Sequence, residues 1–263
     1  MYKLWNKAIK RISYILTHKK TLSEQTILGN LKSNENYVKE DNDYYYLENT
    51  EFSYQLRKKG SDVRVHRQIV IEKEYQSLID CLIVNDKKPK LIVDCGANIG
   101  LTAIQFARNF PYAQIISIEP DEMNFRQLSI NTQDFHNVYP LRNAIWTSLE
   151  TLKLDKNFRD GEDWSIRTVK SSDDFYQEVQ TITLLDLLKE LGQEKIDLLK
   201  IDIEGTEKEL FKDKNTYRFL DKTECIAIEI HDECVDRLNI YKILREHDFT
   251  LFNSGELTIG LRK

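Results

Sequence analysis

Cysteine is scarce in this chain of 263 residues, long apolar runs and a net positive charge are missing, and each lack excludes a class of protein. The four cysteines, Cys81, Cys95, Cys225 and Cys234, make no C-x-x-C pair and no zinc-ligand spacing. Two of them sit inside apolar, strand-like runs, so they read as reduced core residues and not as a disulfide framework. No apolar run approaches the ~20 residues that a membrane span needs. The N-terminal segment is charged and lacks both a continuous apolar stretch and a small-residue cleavage site, so the cytoplasm is the expected compartment. Lys and Arg number 38 against 43 Asp and Glu, and the net charge of -5 argues against nucleic acid as a partner. A hydrophobic content of 41% supports one substantial core, or one core with an appendage.

Two phosphate-binding signatures are also missing from the stretch around which the chain is organised. Leu91-Ile92-Val93-Asp94-Cys95-Gly96-Ala97-Asn98-Ile99-Gly100 reads as a strand running into a turn with two glycines. Ile99, Ala103, Phe106, Ala107 and Phe110 then recur at helical spacing, which completes the opening of a nucleotide-binding βαβ unit. A dinucleotide fingerprint would need glycine where Asn98 and Leu101 stand, and no Gly-Lys-Ser/Thr phosphate loop occurs. No Lys or Arg lies between Leu91 and Ala107, so the turn offers an acid and no base. Such a pocket suits a ligand with a positive end and no phosphate. S-adenosylmethionine, with a sulfonium and an ammonium, meets that description; a generic α/β turn without ligand is the bland reading.

Taken in order, the chain begins with Leu4, Trp5, Ala8, Ile9, Ile12, Ile15 and Leu16 at helical spacing among lysines. A basic amphipathic helix over residues 1–20 either lies on an anionic membrane surface or covers the protein's own core. Short β-prone runs span Tyr44 to Val70, and a helical pattern follows through Tyr75, Leu78, Ile79 and Leu82. Further strands are expected at Gln114–Ile118, Val138–Leu141, Ile196–Ile201 and Cys225–Ile230, with helices at Asp121–Asn131 and Thr183–Leu191. The segment from Leu149 to Lys170 reads as an excursion over the rim, with Trp164 either a flat wall or a core residue. A helix through Val235, Leu238, Tyr241 and Leu244 precedes a hairpin turning at Asn253-Ser254-Gly255, which adds an antiparallel strand to an otherwise parallel sheet.

Glu119 ends the second core strand, at about the distance from the glycine turn where an acid accepts hydrogen bonds from ribose hydroxyls. Its alternative role is a surface Glu favoured by a helix N-terminus. Asn143 and Ala144 follow the third strand, where an amide and a small residue suit the border of an adenine.

Four motifs occur together: Asp94 to Gly100, Glu119-Pro120, Leu198-Leu199-Lys200-Ile201-Asp202-Ile203-Glu204-Gly205, and Glu229-Ile230-His231. Over residues 90 to 232 the chain resembles the FkbM family of S-adenosylmethionine-dependent methyltransferases, and Val65-His66-Arg67-Gln68 to Glu74-Tyr75 resembles the family's lead-in. The resemblance implies a Rossmann-like α/β fold: a mostly parallel seven-stranded sheet with an antiparallel C-terminal hairpin strand. Residues 1–85 would form an N-terminal helical and β extension, and residues 86–263 the methyltransferase domain. It also implies O-methylation of a hydroxyl, on a sugar of a glycan or on a secondary metabolite. Glu150 stands near where family members often have a glycine in the rim segment.

The expected cofactor-binding residues are Asp94, Gly96, Asn98, Gly100, Glu119, Asn143, Ala144 and Asp202. Asp94, Glu119, Asp202 and His231 all follow strands and should face the crevice at the carboxyl ends of the sheet. His231, with Asp202 and Glu204, is the candidate for removing the hydroxyl proton, His231 because an ordinary imidazole titrates near operating pH. Alternatively Asp202, Glu204, Glu229 and His231 gather a divalent cation, Mg²⁺ or Mn²⁺, of which Asp202, Glu229 and His231 are the core set. Two other readings compete: a non-catalytic binding module in a glycan-assembly complex, and a nicotinamide-dependent oxidoreductase. The latter would need a Tyr-x-x-x-Lys after the nucleotide half, and the pair of note, Tyr54 and Lys58, precedes it. Oligomeric state is not legible.

Overall fold

A computed structural model of the chain describes residues 29, 32, 37–48, 53–155, 167–169, 177–232 and 234–262. The amphipathic pattern of residues 1–20, and Trp164, lie outside the described residues. The elements described below belong to the compact unit Val38–Lys263, apart from the first residue of the first strand. That unit takes in much of the stretch that sequence alone sets apart as an extension.

Three short strands, β1 (Tyr37–Glu40), β2 (Tyr44–Glu48) and β3 (Ser53–Arg57), form a small sheet in that order. The β-prone pattern expected to continue to Val70 is helical instead: α1 (Asp62–His66) runs into a π-helical turn, Arg67–Ile71, before α2 (Gln76–Val84). The buried Asp62 carboxylate accepts the Arg57 backbone N–H at 2.8 Å and its guanidinium at 2.6 Å, which fixes the first turn. Val63, Val65 and Ile69 are buried from that helical frame, so tertiary packing overrides their β propensity.

The core alternates strand and helix: β4 (Leu91–Cys95), α3 (Leu101–Asn109), β5 (Gln114–Ile118), α4 (Glu122–Asn131) and β6 (Val138–Leu141). Then come β7 (Ala144–Ile145), β8 (Thr151–Asp155), β9 (Arg167–Val169), β10 (Gln177–Ile182) and α5 (Leu184–Leu191). The chain closes with β11 (Leu198–Ile201), α6 (Glu207–Leu210), a 3-10 turn at Arg218–Lys222, β12 (Cys225–Glu229), α7 (Arg237–Glu246), β13 (Phe249–Ser254) and β14 (Leu257–Arg262). The main sheet has the order β13-β14-β12-β11-β4-β5-β6. Strands β12, β11, β4, β5 and β6 are parallel, and β14 is antiparallel to both its neighbours. Every residue of β4 is buried, as a strand covered on both faces requires. Burying a side chain such as Ile92 there contributes about 1.5–3 kcal/mol.

Because β13 extends through Ser254, the reversal falls at Gly255-Glu256, one step later than the turn residues suggested, with Gly255 at φ +61°. The excursion after β7 builds a second sheet, β7-β10-β8-β9. Glu150 needs no glycine-like backbone, since its φ is not left-handed; its N–H and carbonyl instead bracket Thr181. Helix α4 is tied to β3 by Asn131 and Gln127 on the Gln55 backbone and by Asn124 on the Arg57 guanidinium.

Candidate active site

The sheet changes winding direction at β4, which has β11 on one side and β5 on the other, and the site forms at the carboxyl ends of these strands. Immediately after β4, Gly96 adopts φ +78°, and a Cβ there would lie 1.8 Å from the Asp202 carbonyl oxygen. The turn thus passes against the end of β11 as only glycine allows. The N–H groups of Gly96 and Ala97 both donate to Ile118 O, at 3.0 and 2.9 Å, and Asp202 N–H donates to Cys95 O at 3.1 Å. These bonds lock the turn to both neighbouring strand ends.

A cleft of about 560 Å³, open mouth included, lies over this junction. Gly96, Asn98, Glu119, Asn143, Ala144, Asp202 and Glu204 line it, together with Ile118, Pro120, Asn124, Ile145, Ile203 and Thr206. Six of the eight expected cofactor residues therefore meet around one cavity. Glu119 is 5% exposed; its Oε2 accepts the Asn98 N–H at 2.9 Å and its Oε1 the Asp121 N–H at 3.0 Å. Burial pushes its carboxyl up to about 8, against those two backbone donors.

Two expected residues stand elsewhere. Asp94 is fully buried and does not line the cleft, because its carboxylate is taken by Lys200, whose Nζ lies 3.2 Å away. Gly100 serves the packing of the helices: it caps α3 at φ +87°, and a Cβ would press on Leu128 of α4 at 2.7 Å. The inference that the turn carries an acid without a base is likewise corrected. Lys200 arrives from β11, donates to Gly96 O at 2.6 Å and lies 3.7 Å from Asp202 Oδ2. A window drawn along the sequence from Leu91 to Ala107 does not contain a neighbour that parallel pairing puts beside Asp94.

His231 follows β12 but is 2% exposed and is not part of the cleft lining. Its Nδ1 lies 3.0 Å from Glu207 Oε1, and its Nε2 lies 3.5 Å from both Glu204 Oε2 and Glu229 Oε1. Burial opposes charge on the ring, but the Glu207 hydrogen bond and charge, with Asp202 and Glu229, prevail and raise it to about 9. That lies above the near-neutral value of a free imidazole, from which its role as a base was expected. Glu229 is raised to about 9 by burial and then by Asp202, and Glu74 to about 7, chiefly by burial. Glu204 sits at φ +54°, a strained conformation for a residue with a Cβ. Sequence reading missed Glu207, which is buried at the start of α6; its spacing of three from Glu204 was the available signal.

The cleft fits S-adenosylmethionine on its own features. It offers a buried carboxylate facing the cavity, a glycine cradle that a Cβ would fill, and a partly exposed acid, Asp202, suited to a cationic end. Glu119, Asn98 and the Gly96 turn would hold the adenosine, and Asp202 the methionine end.

Comparison of the sequence with known proteins identifies its family. Residues 94–251 match the Methyltransferase FkbM domain. The chain is similar to the 2-O-methyltransferase NoeI of Sinorhizobium fredii, 30% identical over 198 residues, covering 70% of this chain and 75% of that protein. It is also similar to the methyltransferase sdnD of Sordaria araneosa, 30% identical over 161 residues, or 49% of this chain and 62% of that one. Among solved structures, a Geobacter sulfurreducens methyltransferase aligns at a TM-score of 0.43 and 17% identity, covering 76% of this chain and 89% of that one. The family match spans more than half of the sequence and begins at the Asp94 turn on which the cleft is built. The chain belongs to the FkbM family of S-adenosylmethionine-dependent methyltransferases.

Proposed function

We propose that this methyltransferase acts on a hydroxyl of a sugar, in a glycan or in a glycosylated secondary metabolite. The observation that carries the reading is the continuity of the acidic ends of β11 and β12. Asp202 lines the cofactor cleft, and Glu204, Glu229 and His231 extend from it on the side away from Glu119. Carboxylates are groups that hydrogen-bond hydroxyls and withdraw their protons. The name of the 2-O-methyltransferase NoeI lends support to transfer onto oxygen.

When bound, S-adenosylmethionine supplies an electrophilic methyl group. The chain's part is alignment of the acceptor oxygen and removal of its proton. Asp202 sits between the cofactor side and the acceptor side, Glu204 completes the latter, and His231 stands buried behind Glu204. A non-catalytic binding module would have no use for His231 backed by a buried Glu207. Incubation with methyl-labelled S-adenosylmethionine and a panel of glycans tests the reading. The expected outcome is label in the carbohydrate, stable to mild base as an ether is. Label confined to protein, or in base-labile esters, would refute it.

A further inference from the structure

Only one ring nitrogen of His231 makes a hydrogen bond. Nδ1 meets Glu207, whereas Nε2 is buried, makes no hydrogen bond, and is aimed between two carboxylates at 3.5 Å. One ligand atom each from Asp202, Glu204 and His231 lies within 4.8 Å of the others. Ligand bonds of about 2.0–2.2 Å put neighbouring donor atoms about 3–3.5 Å apart around a small divalent ion, which matches the 3.5 Å between Nε2 and Glu204 Oε2. The engaged nitrogen fits as well: a metal-ligating histidine almost always gives its other N–H to a carboxylate or carbonyl, which sets the tautomer. A second acidic group, Glu74, Glu229 and Glu256, also converges. Among the described residues, however, it contains no buried polar atom lacking a hydrogen bond.

The geometry points to a divalent-cation site formed by Asp202, Glu204 and His231, with Glu207 as the positioning residue behind the histidine. It rests on the reading of this cluster as the acceptor side of the cleft. Two carboxylates and one imidazole suit Mg²⁺ or Mn²⁺, and Lys200 Nζ stands 3.7 Å from Oδ2 of Asp202. The set differs from the sequence-based one in taking Glu204 in place of Glu229. A cation there would acidify an acceptor hydroxyl, whose proton passes to solvent water.

Mn²⁺ alone, added to the full chain and followed by electron paramagnetic resonance, tests the site without acceptor or turnover. One bound equivalent at sub-millimolar Mn²⁺ is expected. Glu204→Gln, at a partly exposed position and with its fold checked by circular dichroism, should weaken binding roughly tenfold or more, and Glu207→Gln about 10–100-fold. Glu74→Gln should bind as wild type does. No binding at millimolar Mn²⁺ overturns the site, and so does loss in Glu74→Gln with retention in Glu204→Gln. Mn²⁺ bound by a protein that methylates no hydroxyl would sink the proposed function and leave the site standing. Chelator-insensitive O-methylation without Mn²⁺ binding would do the reverse.

Discussion

Gly96 leaves no room for a methyl group, and this follows from where β11 ends. With the Asp202 carbonyl 1.8 Å from an added Cβ and φ at +78°, Gly96→Ala must displace either the turn or the strand end. The expected cost is about 1–3 kcal/mol of stability or more, with loss of S-adenosylhomocysteine binding, read by thermal unfolding and calorimetry. Unchanged binding would show that the turn does not border the cofactor. Glu119 gives a prediction with a sign. Ribose hydroxyls donate to a carboxylate, so binding favours the ionised form, whereas burial holds the free carboxyl near 8. Binding at pH 7 should therefore release a proton. Affinity should rise with pH up to about 8 and level off above it. Calorimetry in buffers of different ionisation enthalpy measures the release, and its absence between about pH 6 and 8 would contradict the assignment. Asp94 and Lys200 show where residue-level reading stopped: the acid was legible in the motif, but its partner lies across the β4–β11 pairing and not along the chain.

At the level of elements, the sequence announced the core strands and missed those whose partners are distant. Strands β4, β5, β11 and β12 are short apolar runs buried on both faces, and that pattern is local. Strand β10, QEVQTI, was not foreseen, because it carries few apolar residues and is held by pairing to β7 and β8. Helix α1 was read as β-prone because its buried anchor, Asp62, answers to Arg57 on β3. The same region carries a pH-dependent contribution. His66, buried against Tyr54 with Nε2 3.0 Å from its hydroxyl, is lowered by burial from 6.5 to about 4. A histidine depressed in the folded state leaves the unfolded chain to take up the proton first. Its contribution is intact above pH 6.5 and is lost as pH falls toward 4, about 3 kcal/mol in all. Between about pH 7 and 5, urea unfolding should show about 2 kcal/mol more loss for wild type than for His66→Gln. Parallel pH profiles would mean that His66 is not the source.

For the whole molecule, one parallel sheet with an inserted antiparallel strand brings four separated motifs to one edge. Asp94 to Gly100, Glu119, Asp202 to Gly205 and Glu229 to His231 are far apart in sequence, and the strand order β12-β11-β4-β5 sets them side by side. Their order and spacing were legible, which is why the family and fold were too. Their division of labour was not, since it depends on which side chains the sheet buries. Asp94 ends inside with Lys200, Glu119 ends at the cleft, and His231 ends behind Glu204. The most direct test of this arrangement is calorimetry of S-adenosylhomocysteine on wild type, Glu119→Ala and Glu204→Gln, with NAD as comparison. Tight binding to wild type is expected, weakened by about 1–3 kcal/mol in Glu119→Ala and little changed in Glu204→Gln, with no heat from NAD. Undiminished binding to Glu119→Ala, or binding of NAD in place of S-adenosylhomocysteine, would contradict it.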